Sequence, residues 1–416
     1  MITEALGGIL VAGGLIQLGL VTAGNVRRLV GQNRQEDLAL ERLKTELEIM
    51  RDLRRRKAEG GSPWNGWRKF LVEKKVVECE GVCSFHLTPH DRKALPEFLP
   101  GQYLTFQLDI PGQPKPVVRC YSLSDCARPE SYRVTIKRIP PRDQNAPPGL
   151  ASGHFHAEVE EGDILDVKAP SGQFSLNPAG TGGLVLIGSG IGVTPVLSML
   201  NALVAQGSHR EVWFFYGIRD RSDHIMKDHL EAIAREHPNV HLHVCASKPD
   251  PSYELGRDYQ HAGRISVDLF KTLLPSSNFD YYLCGPGPMM QDVTEGLKEW
   301  GVPEKNIHYE TFGPSSVKKV AAVVAPGAAL PTGYAIQFKK SGKTVQWCGD
   351  YTSILDLAEA NGISIPSGCR AGSCGTCQVA VFSGEIGYIE NSDFETERGT
   401  RLTCIGAPTS DLVLDA

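Results

Sequence analysis

Three cysteines crowd the stretch Ser367-Gly-Cys-Arg-Ala-Gly-Ser-Cys-Gly-Thr-Cys377, at Cys369, Cys374 and Cys377, and Cys404 follows. A Cys-x4-Cys-x2-Cys…Cys arrangement is the spacing that holds a 2Fe–2S cluster, since two irons bridged by sulfides take four thiolates and one tight loop supplies three. Gly368, Gly372, Ser373 and Gly375 leave room for backbone amides to turn toward the sulfurs. A structural zinc site and a disulfide pair are the competing chemistries, although zinc sites more often use two matched Cys-x2-Cys pairs. The other cysteines, Cys79, Cys83, Cys120, Cys126, Cys245, Cys284 and Cys348, show no regular spacing. That argues against a disulfide framework and, beside a cluster loop, for a reducing compartment.

Two further stretches carry chemistry. Gly188-Ser-Gly-Ile-Gly-Val-Thr-Pro195 follows the apolar run Leu184–Ile187 and opens a helix expected over Val196–Ala205. Gly188, Gly190 and Gly192 let a pyrophosphate approach the backbone, and a helix start favours its negative charge. Arg119-Cys-Tyr-Ser122 offers a guanidinium suited to a phosphate and an aromatic face suited to a planar ring. Alone, the second stretch reads by default as a barrel strand with a salt-bridged arginine.

The elements that must position these residues are legible in outline. From Trp64 to about Pro178 short alternating runs such as Tyr103–Leu108 and Tyr132–Lys137 stand between Gly and Pro turns, the pattern of a small antiparallel barrel. From Gly183 to Gly313 apolar runs alternate with helical stretches, as in a parallel α/β sheet. Residues 314–333 have no period and read as a semi-stiff linker. Beyond it a hairpin, Tyr334–Phe338 and Thr344–Trp347, and a helix, Ser353–Ala360, precede the cysteine loop. The chain of 416 residues is charged to 22% and apolar to 41%, as in ordinary globular protein. Its net charge of −5 gives no bulk attraction to nucleic acid.

Taken in this order, residues 64–416 resemble the ferredoxin–NADP reductase superfamily, and within it the reductases that end in a plant-type ferredoxin of β-grasp fold. The resemblance implies FAD, a 2Fe–2S cluster and NADH, with NADPH possible, as cofactors. It assigns Arg119 to the flavin phosphate, Tyr121 to the isoalloxazine face and Ser122 to the reactive nitrogen. Gly149 and Ser152 then cap the pyrophosphate. Gly188, Gly190, Gly192, Thr194 and Pro195 form the nucleotide turn. Cys284, Gly285 and Pro286 lie by the nicotinamide, and Glu310 and Phe312 cover the flavin. Cys369, Cys374, Cys377 and Cys404 are the cluster ligands. No residue acts as an acid or base, because the cofactors carry the chemistry. At the end of the second strand Arg219 and Arg221 favour NADPH, whereas Asp220 and Asp223 favour NADH. His154 and His156 read as ordinary surface or cap histidines.

The implied activity is electron transfer from NAD(P)H through FAD and the cluster to an oxygenase, hydroxylase or desaturase. A respiratory NADH–quinone reductase subunit and a redox-sensing module are the alternatives. Residues 5–24 carry no charge and, as a helix, span about 30 Å, the thickness of a bilayer core. Arg27, Arg28 and Arg34 follow, so the expectation is a single-pass anchor in the cytoplasmic membrane, amino terminus outside, with the acceptor at the same lipid bilayer. The expected multidomain order is anchor helix 1–25, charged helical spacer 26–62, FAD-binding β-barrel 63–178, NAD(P)-binding α/β domain 179–315, linker 316–332 and ferredoxin domain 333–416.

Overall fold

Alternating apolar residues between tight turns produce six antiparallel strands in the first half of the chain. They are β1 (Arg68–Cys79), β2 (Val82–Pro89), β3 (Tyr103–Leu108), β4 (Val117–Ser122), β5 (Tyr132–Lys137) and β6 (Ile164–Ser171), ordered β4-β3-β6-β1-β2-β5. The ends of that order meet where Leu123, just past β4, bridges Val134 of β5, so the sheet curls into a barrel. Phe70, Phe85, Leu104 and Phe106 fill its interior. Helix α1 (Leu150–Ala157) closes it with Phe155, whose ring meets Phe85 and Phe106 edge-on. This computed structural model describes residues 64, 66–141, 148–178, 180–310, 312, 333–349, 351–368, 370, 372, 375–388 and 396–416.

The second part is a parallel sheet with helices on both faces. Its elements are β7 (Leu184–Ser189), α2 (Val193–Ala205), β8 (Val212–Ile218), α3 (Lys227–Glu236), β9 (Val240–Ala246), β10 (His261–Ala262), α4 (Val267–Leu273), β11 (Asp280–Cys284), α5 (Gly287–Glu299) and β12 (Ile307–Glu310). The order is β10-β9-β8-β7-β11-β12. The apolar run of β7 is unbroken because both of its faces are covered. Leu184 and Leu186 enter one core, and Val185 and Ile187 enter the other. Strand order reverses at β7, and the crevice beyond the carboxyl ends of such strands is where α/β sheets bind ligands. Helix α2 begins at Val193, earlier than expected, because proline is tolerated in a first turn and Pro195 sits there.

The last part pairs β13 (Tyr334–Phe338) and β14 (Lys343–Trp347) as the expected hairpin, with Gly342 at φ +67° in the turn. Helix α6 (Ile354–Ala360) follows, capped by Ser353, whose Oγ accepts from the Asp356 amide. Then come β15 (Gln378–Ser383), β16 (Ile386–Tyr388), β17 (Thr400–Leu402), β18 (Gly406–Pro408) and β19 (Leu412–Leu414). The main sheet runs β14-β13-β19-β15-β17, and Phe338, Leu357 and Ile405 lie in the core beneath it.

One expectation is corrected. Among the described residues no helix is long and apolar enough to cross a membrane. The single-pass location in the cytoplasmic membrane is therefore withdrawn, and with it the membrane association of the acceptor. The uncharged run at 5–24, the spacer at 26–62 and the linker at 316–332 lie outside the described residues.

Candidate functional site

Strand β4 presents Arg119 and Tyr121 on one face and Ser122 on the other, as period-two alternation requires. The Arg119 guanidinium donates through Nη1 to the Val118 carbonyl at 2.7 Å. Its pKa is lowered, first by burial and then by the charge of Arg370, while Glu359 pulls the other way. The cluster loop and α6 thus lie within electrostatic reach of this strand. The Tyr121 ring meets Phe106 and Phe155 edge-on at 5.8 and 5.2 Å, and burial pushes its phenol pKa up. Ser122 is buried and faces Tyr103 across the ladder.

Gly149 caps α1, and Ser152 is spent locally. The Ser152 hydroxyl accepts from the Ile139 amide and donates to the Gly149 carbonyl, both at 3.2 Å. A Cβ on Gly149 would stand 2.6 Å from that hydroxyl and 2.7 Å from Ile139 Cβ, so glycine is needed for the close approach. His156 lies in the last turn of α1 and is half-buried. Its Nε2 donates to the Ile136 carbonyl at 2.9 Å, and its Nδ1 faces Cys83 Sγ at 3.6 Å.

The turn from β7 into α2 is shaped by contact. A Cβ on Gly192 would lie 2.4 Å from the Cys284 carbonyl oxygen, and one on Gly188 would lie 2.7 Å from Val193 Cα. Gly190, at φ +53°, has open space where its Cβ would be. Thr194 is buried, with its hydroxyl donating to the Ile191 carbonyl at 3.0 Å. Cys284 pairs with Gly188 on one side and Glu310 on the other, so three adjacent strand ends are brought together. Its thiol pKa is raised well above the ordinary value by complete burial and then by Glu310. A Cβ on Gly285 would press on Met289, and Pro286 caps α5. Phe312 packs against the core beneath α2.

At the end of β8 the competing charges separate. Asp223 is held by Lys137 of the barrel at 2.7 Å. Asp220 accepts from the Ser222 amide and hydroxyl, which hold its carboxyl below the usual range. Arg219 is 69% exposed, 3.8 Å from Asp220, and Arg221 is exposed too.

In the last domain Cys377 and Cys404 are buried at 2% and 4% exposure. Their backbones are tied together, since the Thr403 amide and hydroxyl both donate to the Cys377 carbonyl, at 3.2 and 3.0 Å. Cys369 and Cys374 lie outside the described residues. Gly372 takes φ +76°, a conformation that favours glycine, and a Cβ there would stand 2.6 Å from the Ile405 side chain. Arg370, at φ +57°, pairs with Glu359 and, at 3.7 Å, with Asp356. That clamp was not anticipated. Its signal was the one long cationic side chain in a loop of small residues, opposite acids at i and i+3 of a helix.

These surroundings fit the implied groups. Neighbouring buried thiols suit a thiophilic cluster. The turn at Gly188–Gly192 brings backbone close to open space, as a pyrophosphate needs. A half-buried guanidinium and an aromatic on one strand face suit a flavin nucleotide.

Three family models match the chain. Residues 69–176 match the oxidoreductase FAD-binding domain model, 186–295 the oxidoreductase NAD-binding domain model and 337–409 the 2Fe–2S iron–sulfur cluster binding domain model. A flavohemoprotein of Halalkalibacterium halodurans is 40% identical over 258 residues, 62% of each chain. The chain thus spans about 62% of the length of the curated relatives it matches first. The FAD/NAD-binding domain of a nitric oxide dioxygenase from Vibrio cholerae O1 biovar El Tor is 32% identical with a TM-score of 0.54, over 60% of this chain and 100% of that one. Phthalate dioxygenase reductase, described as a modular structure for electron transfer from pyridine nucleotides to 2Fe–2S, is 27% identical with a TM-score of 0.52, over 85% of this chain and 98% of that one. With FAD-binding, NAD-binding and 2Fe–2S domains in that order, the chain belongs to the ferredoxin–NADP reductase superfamily.

Proposed function

We propose that this chain is an NAD(P)H-dependent electron-transfer reductase whose outlet is its own ferredoxin domain. One observation carries the reading: the three modules occur in the order of phthalate dioxygenase reductase and align with 98% of that chain. A flavin held here would supply the switch between two-electron and one-electron chemistry: it would take a hydride from NAD(P)H, give the two electrons singly to the cluster and release the proton to solvent. The protein's own residues hold and orient. Arg119 takes the flavin phosphate, Tyr121 and Phe312 flank the ring system, and Ser122 meets its reactive edge. Gly149 and the first turn of α1 approach the pyrophosphate, with Ser152 keeping that turn closed. Gly188, Gly190, Gly192, Thr194 and Pro195 shape the nucleotide seat, and Cys284, Gly285, Pro286 and Glu310 shape its nicotinamide end. Cys369, Cys374, Cys377 and Cys404 ligate the cluster. The modules are taken as 63–178, 179–315 and 333–416.

NADH is the preferred donor in this reading. Asp220 stays ionised beside the ribose end, where it opposes the added phosphate of NADPH, although Arg219 and Arg221 pull the other way. The acceptor is an oxygenase, hydroxylase or desaturase component, and the surplus of ten acidic over six basic side chains in residues 334–416 suits a basic docking face. The test is turnover of NADH by the purified full chain with ferricyanide and with cytochrome c. Reduction of neither acceptor refutes the reading.

A further inference from the structure

Helix α2 carries two polar side chains, Ser198 and Asn201, that are buried against the barrel at 0% and 6% exposure. Both end on one residue. Ser198 Oγ donates to the Asp125 carbonyl at 2.7 Å, and Asn201 Nδ2 donates to Asp125 Oδ1 at 2.9 Å. Asn201 Oδ1 accepts in turn from His229 Nε2 of α3 at 2.8 Å. Asp125 is itself fixed. Its Oδ1 also accepts from the Cys126 amide at 2.9 Å, and its Oδ2 faces Arg133 at 3.7 Å and Arg128 at 3.9 Å. Arg133 holds the preceding residue as well, donating to both the hydroxyl and the carbonyl of Ser124.

The placement of this network gives it meaning. Asp125 lies just beyond Ser122 at the end of the flavin strand. Ser198 and Asn201 lie on the helix that the Gly188–Pro195 turn starts. Apolar contact between two domains is non-directional and tolerates sliding. Buried polar groups left without partners are costly, so a fully satisfied pair admits one register. Two bonds from one helix to one residue restrict both its sliding and its rolling.

We propose that Asp125, Ser198 and Asn201 are positioning residues that set the nucleotide turn in register with the flavin strand, so that the nicotinamide meets the flavin. This rests on the reductase reading. Asn201→Asp replaces a donor by a carboxylate against the Asp125 carboxylate, and Ser198→Ala removes the second bond. The full chain, loaded with FAD and cluster, is mixed anaerobically with NADH and the bleaching of the flavin is followed. The limiting bleaching rate falls about tenfold or more in Asn201→Asp and severalfold in Ser198→Ala, while the NADH concentration for half-maximal rate moves less than about threefold. A readout independent of turnover accompanies it. Amide hydrogen exchange rises over residues 121–126 and 193–205 and is unchanged over 333–416, at equal FAD content. Limiting rates within about twofold of wild type in both variants overturn the proposal. So does a change confined to the half-maximal concentration, which marks a nucleotide-binding element instead. If Asn201→Asp does not fold, Ser198→Ala decides by the same criteria. Wild-type protein that does not bleach its flavin with NADH or NADPH refutes the reductase reading itself, whereas bleaching that the variants share refutes only the positioning role.

Discussion

Gly192 is the place where the nucleotide turn touches the strand that carries Cys284. Its backbone, at φ −63°, is open to any residue, so an alanine there meets no conformational penalty. The obstacle is contact alone. The new Cβ would stand 2.4 Å from the Cys284 oxygen, 2.6 Å from its carbonyl carbon and 2.8 Å from Gly285 Cα, all of them backbone atoms. Ordinary contact begins near 3.4 Å, so turn and strand must separate by about 1 Å, the difference between 3.4 and 2.4. Overpacking of that kind costs about 1–3 kcal/mol of stability. A misplacement of about 1 Å near reacting groups slows a reaction about 100-fold, or about 2.7 kcal/mol. Gly192→Ala is therefore expected to bleach its flavin with NADH about 100-fold more slowly, with FAD and cluster absorbance intact. Gly207→Ala, beyond the far end of α2 and outside the turn, is the control. It has open space but φ +62°, so it costs about 1–2 kcal/mol in backbone strain and displaces nothing. Anaerobic flavin bleaching and thermal unfolding of both variants make the test. Gly192→Ala with wild-type rate and wild-type melting refutes the reasoning, as does a Gly207→Ala that is the slower of the two.

The remaining expectations are these. Cys404→Ser abolishes the visible absorbance of the cluster and the reduction of cytochrome c while NADH still bleaches the flavin; cytochrome c reduction at the wild-type rate shows that the cluster is not the outlet. Asp220→Ser removes the carboxylate that Ser222 keeps ionised, and the ratio of kcat/KM for NADPH to that for NADH rises about tenfold, equivalent to about 1.4 kcal/mol; an unchanged ratio excludes Asp220 from donor choice. His224 is pushed down to about 4, by burial first and then by Lys227, from an ordinary 6.5. Between those two pH values the unfolded chain binds a proton that the folded chain refuses. Stability from this group is therefore complete above about pH 6.5 and is lost as pH falls toward 4, by on the order of 3 kcal/mol. Denaturant midpoints at pH 7 and pH 4.5 should fall less in His224→Gln than in wild type, and equal falls refute the assignment.

What the sequence discloses depends on how local the chemistry is. The cysteine spacing and the glycine turn are legible because each is a contiguous chemical demand, whatever surrounds it. Strand Leu184–Ser189 is legible because burial on both faces leaves an unbroken apolar run. The link from Asp125 to Asn201 is not, because the two residues are 76 positions apart and a few polar side chains on a largely apolar helix signal nothing by themselves. The same holds for Asp223. Its position after the second strand suggests a ribose contact, yet Lys137, from a different domain, holds it. Ser152 and Thr194 stand where the resemblance places ligand contacts, but each hydroxyl is engaged inside its own turn. An uncharged run at 5–24 fits a bilayer by length and apolarity, and those properties alone do not establish a membrane location.

Strand β4 and the few residues after it are where the three modules converge. Arg119 feels Arg370 and Glu359 of the ferredoxin domain, and Asp125 receives α2 of the nucleotide domain. These two junctions differ in kind. The first is electrostatic and acts through side chains with exposed surface, so it is weak and screened by salt. The second is buried and hydrogen-bonded, so it is directional and largely indifferent to salt. That difference matches what each half of the proposed reaction demands. Hydride transfer needs two rings held at contact distance, which a directional latch provides. Single electrons tolerate a longer and more variable path, and an outlet that must also meet an external acceptor is better served by a contact that releases. Arg370 is then placed to serve both needs. Its pairing with Glu359 and Asp356 holds the cluster loop to α6, while its charge opposes that of Arg119 and so favours release.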